Sequence, residues 1–304
     1  MKKIIFLIFF TMTLFSCQDT RSRKTQNKEQ YPPQKLFEGK QLEAAQKIFD
    51  EDNSGLESVL KDDPQIINQL SDNKGYTLIM YASVVENLPA MEILLKNGAD
   101  PNIVVPNEGL GLPLSHAVAL NNYEMAKLLF KYKANPNPEL GNSPLCNAMS
   151  LGNEQTEKKM IDFLLDNGAD INHTSYLGHN IMEEAARNLS QFRIALYLLE
   201  KGGNPKIKGT ELSPMAKYIE YEKKKTSENK NPKAVDYYEN LLKVSTILQE
   251  KYHITFPVKD DPKAEAKLRI ELYEKLSEKD KKSVNFNKNY GENRYKEDQK
   301  LLLQ

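Results

Sequence analysis

Tryptophan is missing from this 304-residue chain, cysteine occurs twice and histidine four times. The histidines, His116, His173, His179 and His253, are scattered without metal-ligand spacing, so no metal site is expected. No glycine-rich phosphate loop, His-Glu-x-x-His run or serine nucleophile elbow is present, and no catalytic residue, cofactor or small-molecule substrate is expected. Net charge is lacking too. The 42 basic and 42 acidic residues cancel, and the lysines are interspersed with acids, which excludes the basic stripe of a nucleic-acid binder. With 28% charged residues, the chain has too little apolar material for a second large globular domain.

What the sequence does hold is a repeated leucine-rich helix end followed by a polar turn. Leu94-Leu95-Lys96-Asn97-Gly98-Ala99-Asp100 returns as Leu128-Leu129 running to Lys133-Ala134-Asn135 and as Leu164-Leu165-Asp166-Asn167-Gly168-Ala169-Asp170. Looser copies lie at Leu198-Leu199 and Leu248. A period of thirty-odd residues marks a solenoid whose units bury their apolar faces only against neighbours. Thr or Ser before Pro starts a helix, because the hydroxyl caps free amides and proline lacks a donor where none is needed. Gly98 and Gly168 suit a left-handed helix end, a rule that Lys133 and His253 break. Ala82, Ala117, Ala148 and Ala185 allow close approach between units.

The units read Gly75-Tyr76-Thr77-Leu78, then Leu112-Pro113-Leu114-Ser115-His116-Ala117, then Gly141-Asn142-Ser143-Pro144-Leu145, and more weakly Gly178-His179-Asn180-Ile181 and Ser213-Pro214-Met215. This pattern resembles the ankyrin repeat over roughly Leu56 to Pro257, with about four extra residues near Gln155 to Lys158 in the third unit. The resemblance implies an all-α ankyrin-repeat solenoid of stacked helix-turn-helix units with hairpin loops and helical caps, occupying residues 36–257. It also implies a protein partner, met on a concave face of hairpin tips and first helices. Carried onto this sequence, those positions are Asn73, Lys74, Tyr76, Val84, Val85, Glu108, Leu120, Asn142, Leu151, Tyr176, His179 and Arg187, with Tyr221 beyond them. Tyr76 and the apolar row Val84, Val85, Leu120 and Leu151 are the expected hot spots, unless the protein's own tail covers them.

The amino terminus points to the cell envelope. Lys2-Lys3 and the apolar run Ile4 to Leu14 fit a secretory signal over residues 1–16, too short to span a membrane. The junction Ser16-Cys17 is similar to the lipobox of bacterial lipoproteins, which implies lipidation at Cys17, a membrane contact through that lipid, and a site facing the periplasm or outer membrane. Residues 17–35 read as a disordered tether, and 258–304 as a charged helix near Ala264 to Leu276, whose stripe of Leu268, Leu272 and Leu276 either closes the end of the stack or stays detached, with disorder beyond about Glu278. Stacking would bring Cys146 near His116, but no third group orients such a pair, so ordinary packing is expected. Two functions follow from the resemblance: a lipid-anchored interaction protein, of which immunity proteins against phospholipase effectors are one type, or a periplasmic scaffold of the catalase-associated type.

Overall fold

The computed structural model describes residues 22–72, 75–105, 111–176, 178, 180–187, 192–228, 235–283 and 291–304. Helix α1 (Arg23–Gln30) and a 3-10 turn at Pro33–Lys35 come first. Six helix pairs follow: α2 (Gly39–Asp50) with α3 (Asn53–Asp62), α4 (Leu78–Val84) with α5 (Leu88–Lys96), and α6 (Pro113–Ala119) with α7 (Tyr123–Lys131). Next come α8 (Pro144–Ala148) with α9 (Glu154–Asp166), α10 (Ile181–Arg187) with α11 (Phe192–Glu200), and α12 (Pro214–Glu228) with α13 (Val235–Glu250). The chain closes with α14 (Pro262–Glu274), α15 (Glu278–Ser283) and α16 (Glu292–Leu303). The described residues contain no strand, only one antiparallel bridge between Val105 and Gly111.

Local chemistry starts each helix. Thr77 caps α4 by accepting from the Met80 amide, and proline opens α6, α8 and α12. Asn87, Asn122 and Asn153 cap α5, α7 and α9 in the same way. The four extra residues of the third unit become one added turn, since α9 has 13 residues where α5 and α7 have 9. The apolar face keeps its phase, and Met160, Ile161 and Leu164 stay fully buried.

The first helices stack as one row, α2 through α12, and the second helices form an outer row in which α9, α11 and α13 touch in turn. Ala44, Ala82, Ala117, Ala148 and Ala185 are all fully buried between layers, so small side chains set the spacing. Aromatic contacts join α7 to α9, with Phe163 edge-on to Tyr123 at 5.1 Å and to Phe130 at 5.9 Å. The core is therefore a ribbon running along the stack rather than a single centre.

An asparagine ladder ties each unit to the next. The Asn137 side chain donates to the Gly168 carbonyl at 2.9 Å and accepts from the Asp170 amide at 2.7 Å. Asn68 makes the same pair with Gly98 and Asp100, Asn102 with Lys133 and Asn135, and Asn172 with Gly202 and Asn204. The carbonyl used always belongs to a residue of positive φ: 94° at Gly98, 64° at Lys133, 89° at Gly168 and 94° at Gly202. Lys133 thus keeps the left-handed helix end without glycine, as does His253 at 54°.

Both chain ends depart from the sequence reading. The segment expected to be a tether is ordered from Ser22: α1 is capped by Ser22, and Pro33, Leu36 and Phe37 are buried against the first helix pair. At the other end α14 docks on the stack, and α15 and α16 extend the helical structure past Glu278. Leu268, Leu272, Tyr273 and Leu276 of this carboxyl-terminal segment pack on Leu140 and Tyr176. Arg269 binds Asp298 with both nitrogens at 2.7 Å in a buried pair that locks α14 to α16, and donates to the Thr210 carbonyl at 3.1 Å.

Candidate functional site

The face expected to bind is built from the carboxyl-terminal ends of α4, α6, α8, α10 and α12, with the hairpin tips beside it. Its first half is closed. Tyr76, Val84 and Val85 are 1%, 2% and 0% exposed, so they are not accessible hot spots. Helix α1 is seated there: Asn27 donates to the Val84 carbonyl at 2.8 Å, and Arg23 reaches Glu86 and the Leu120 carbonyl. Tyr31 places its ring 6.5 Å from that of Tyr76 and accepts a hydrogen bond from the Tyr81 hydroxyl through its carbonyl. The polar composition of α1 gave no hydrophobic signal; the cap at Ser22 was the one cue to a helix.

At one hairpin tip of the second half, the carboxyl-terminal segment covers part of the surface. Tyr176 packs beneath Leu272 and Leu276, with the Lys275 ammonium 6.0 Å from its ring centre. Asn142 stays exposed, and its carbonyl accepts from the Ser115 hydroxyl. Asn73, Lys74, Glu108 and His179 lie outside the described residues, as do Cys17 and the signal segment. Leu120 and Leu151 are half-buried at the inner helix ends, and open surface remains at Arg187 and at Tyr221, which is 58% exposed. Tyr218 and Tyr221 stand 6.0 Å apart, and Arg187, Glu211, Pro214 and Lys217 complete a shallow recess of about 290 Å³ around them. Aromatic and guanidinium groups of this kind supply anchoring contacts in protein interfaces.

Chemistry at the buried groups favours packing over reaction. His116 hydrogen-bonds the Ser83 hydroxyl at 2.7 Å, and burial pushes its imidazole down to about 4. Cys146 is half-buried among apolar neighbours, and desolvation pushes its thiol up to about 12, far from the thiolate that a nucleophile needs. Ser83 is fully buried and also donates to the Met125 sulfur at 3.1 Å, which keeps its hydroxyl within the core. Glu183, buried beside Arg187 at 2.9 Å, is raised to about 7 by desolvation. Among the described residues no cluster of three or more His, Cys, Asp or Glu side chains could hold a metal, and no helix is long and apolar enough to cross a membrane.

The comparisons with known proteins agree on the repeat. A model described as ankyrin repeats in three copies matches residues 114–209, and a single ankyrin repeat model matches residues 74–105. A protein from Treponema pallidum (strain Nichols), described as ankyrin repeat-containing, is 36% identical over 70 residues, which is 23% of this chain. The chain spans 23% of that relative's length. The crystal structure of the human ASB11 ankyrin repeat domain aligns with a TM-score of 0.46 and 17% identity, covering 66% of this chain and 82% of that one. With its repeating caps, its asparagine ladder and these two matched segments, the chain carries ankyrin repeats and folds as an all-helical ankyrin-repeat solenoid.

Proposed function

We propose that this chain is a non-catalytic protein-binding module, anchored in the bacterial cell envelope through a lipid on Cys17, whose partner docks on the open half of the inner-helix face. The observation that carries the reading is the surface from Leu151 through Arg187 to Tyr221, where an exposed aromatic and a guanidinium line a shallow recess beside the inner helix ends. Ankyrin repeats support it as an interaction architecture, since neighbour-only packing leaves one continuous face free for a partner. The narrower form of the proposal is neutralisation of a secreted phospholipase-type effector at the membrane, supported by the lipobox-like Ser16-Cys17 junction ahead of the repeats.

Photo-crosslinking in the cells that make the protein tests the face. A crosslinker placed at Tyr221 or at Leu151 is expected to trap the same protein, whereas one on the exposed outer residue Lys127 is not; equal adducts at all three positions, or none at the first two, refute the site. Labelled palmitate should enter the wild type and not Cys17→Ser. Cells carrying the wild type should survive a phospholipase effector that kills cells carrying Cys17→Ser, and equal killing removes the immunity reading.

A further inference from the structure

Helix α1 sits on the turns that join first helices to second helices, held there by hydrogen bonds, ion pairs and the Lys28 ammonium 5.2 Å from the Phe49 ring centre. At the first turn Lys24 and Lys28 both reach Glu51 at 2.8 Å, and Lys28 also donates to the Phe49 carbonyl. At the second, Arg23 binds both oxygens of Glu86 at 2.6 and 2.7 Å while Asn27 takes the Val84 carbonyl. At the third, Arg23 donates to the Leu120 carbonyl at 3.1 Å. Carbonyls at helix carboxyl-terminal ends carry partial negative charge, so the seat combines two acids with three aligned acceptors and is matched to a basic segment.

The acids stand where the backbone does not favour them. Glu51 and Glu86 hold φ at 61° and 53°, and the equivalent positions of the next two units are Asn121 and Gly152, residue types that accept positive φ with less strain. Among the described residues, glutamate is kept in that conformation only at the two turns that face the cations of α1. The hydrogen bonds from Lys24 and Lys28 hold the Glu51 carboxyl down at about 2. Yet α1 itself is held lightly. It buries no residue, it has eight residues where an isolated helix needs more to persist, and each of its ion pairs keeps one half-exposed partner, Arg23 at 50% or Glu51 at 50%.

We propose that the seat of α1 is a docking groove for a basic helical segment of a partner protein, and that α1 is its resident, displaceable occupant. The proposal deepens the protein-binding reading and places a second contact region beside the open row at Leu151 and Tyr221. A partner segment with an Arg-Lys pair followed one helical turn later by a second Lys takes over Glu51, Glu86 and the carbonyls, and α1 leaves with its own charges returned to water. High salt weakens both occupants alike.

The test uses the full chain and a fluorescein-labelled peptide of the sequence Ser22 to Tyr31. The R23E/K24E/K28E variant, whose own helix is repelled from the seat, is expected to bind the peptide at least tenfold more tightly than the wild type, and adding Glu51→Gln with Glu86→Gln should abolish the gain. An alanine-based peptide that keeps only the Arg, Lys, Asn and Lys of α1 at their spacing should bind as well. Hydrogen exchange should show residues 23–30 released in the triple variant with α4 still protected, which establishes that the stack is folded. Equal affinity for both chains, or binding of the native peptide but not the alanine-based one, overturns the proposal and makes α1 a fixed strap. A wild-type dimer formed by exchange of α1 also overturns it, by naming a second copy as the occupant. Crosslinking at Tyr221 reports on the protein-binding reading separately, because it does not involve α1.

Discussion

Replacing Asn137 by Ala tests whether the asparagine ladder couples neighbouring units. The side chain donates to the Gly168 carbonyl and accepts from the Asp170 amide, so both lost bonds cross between the second and third units. At about 0.5 to 1.5 kcal/mol for each hydrogen bond, the change should cost about 1 to 3 kcal/mol, and the lower half of that range is expected because water reaches the turn and can satisfy the freed groups. Urea unfolding gives the total, and hydrogen exchange gives its location: protection should fall first at residues 135–143 and 168–172. Asn97→Ala is the control, an exposed turn asparagine that donates to the Ile93 carbonyl within its own unit. A loss at Asn137 no larger than at Asn97, or loosening spread evenly along the chain, refutes the ladder as an inter-unit clamp.

Leu129 is fully buried, and Leu129→Ala should cost about 2 to 5 kcal/mol, with exchange rising around residues 123–148 before the distant units. Asp298→Ala strands the buried Arg269 guanidinium and should cost up to about 3 to 5 kcal/mol locally, releasing α16 to limited proteolysis while α4 to α11 stay protected. Glu183 binds a proton more readily when folded, at about 7, than at its ordinary 4.5, so its contribution to stability is fully present below about pH 4.5 and is lost as pH rises through about 7. Glu183→Gln should flatten that part of the profile by about 1 to 3 kcal/mol in urea midpoints measured from pH 4 to 8, and an unchanged slope refutes the assignment. His116 acts in the opposite sense: its share of stability is present above about pH 6.5 and is lost as pH falls through about 4, which His116→Gln should remove.

The repeated units were legible in the amino-acid order because their causes are local. A capping hydroxyl, an opening proline, paired leucines and a left-handed turn act within one unit, so their period reveals the solenoid and its small buried alanines. The extra turn in α9 was visible as extra residues, and its harmlessness follows from helical phase. What the order of residues left open was which surface stays free. Helix α1 is polar throughout and meets Glu51, Glu86 and carbonyls from three different units, acceptors that exist as a set only once those units stack. Tyr76, Val84 and Val85 accordingly carried the pattern of an exposed row and are buried. Tyr176 is half-buried in the same way, because Leu272 and Leu276 pack against it from a segment far along the chain. Repetition fixes the stack through short-range chemistry, whereas the fate of its faces depends on long-range docking by the two chain ends, which no periodic signal records.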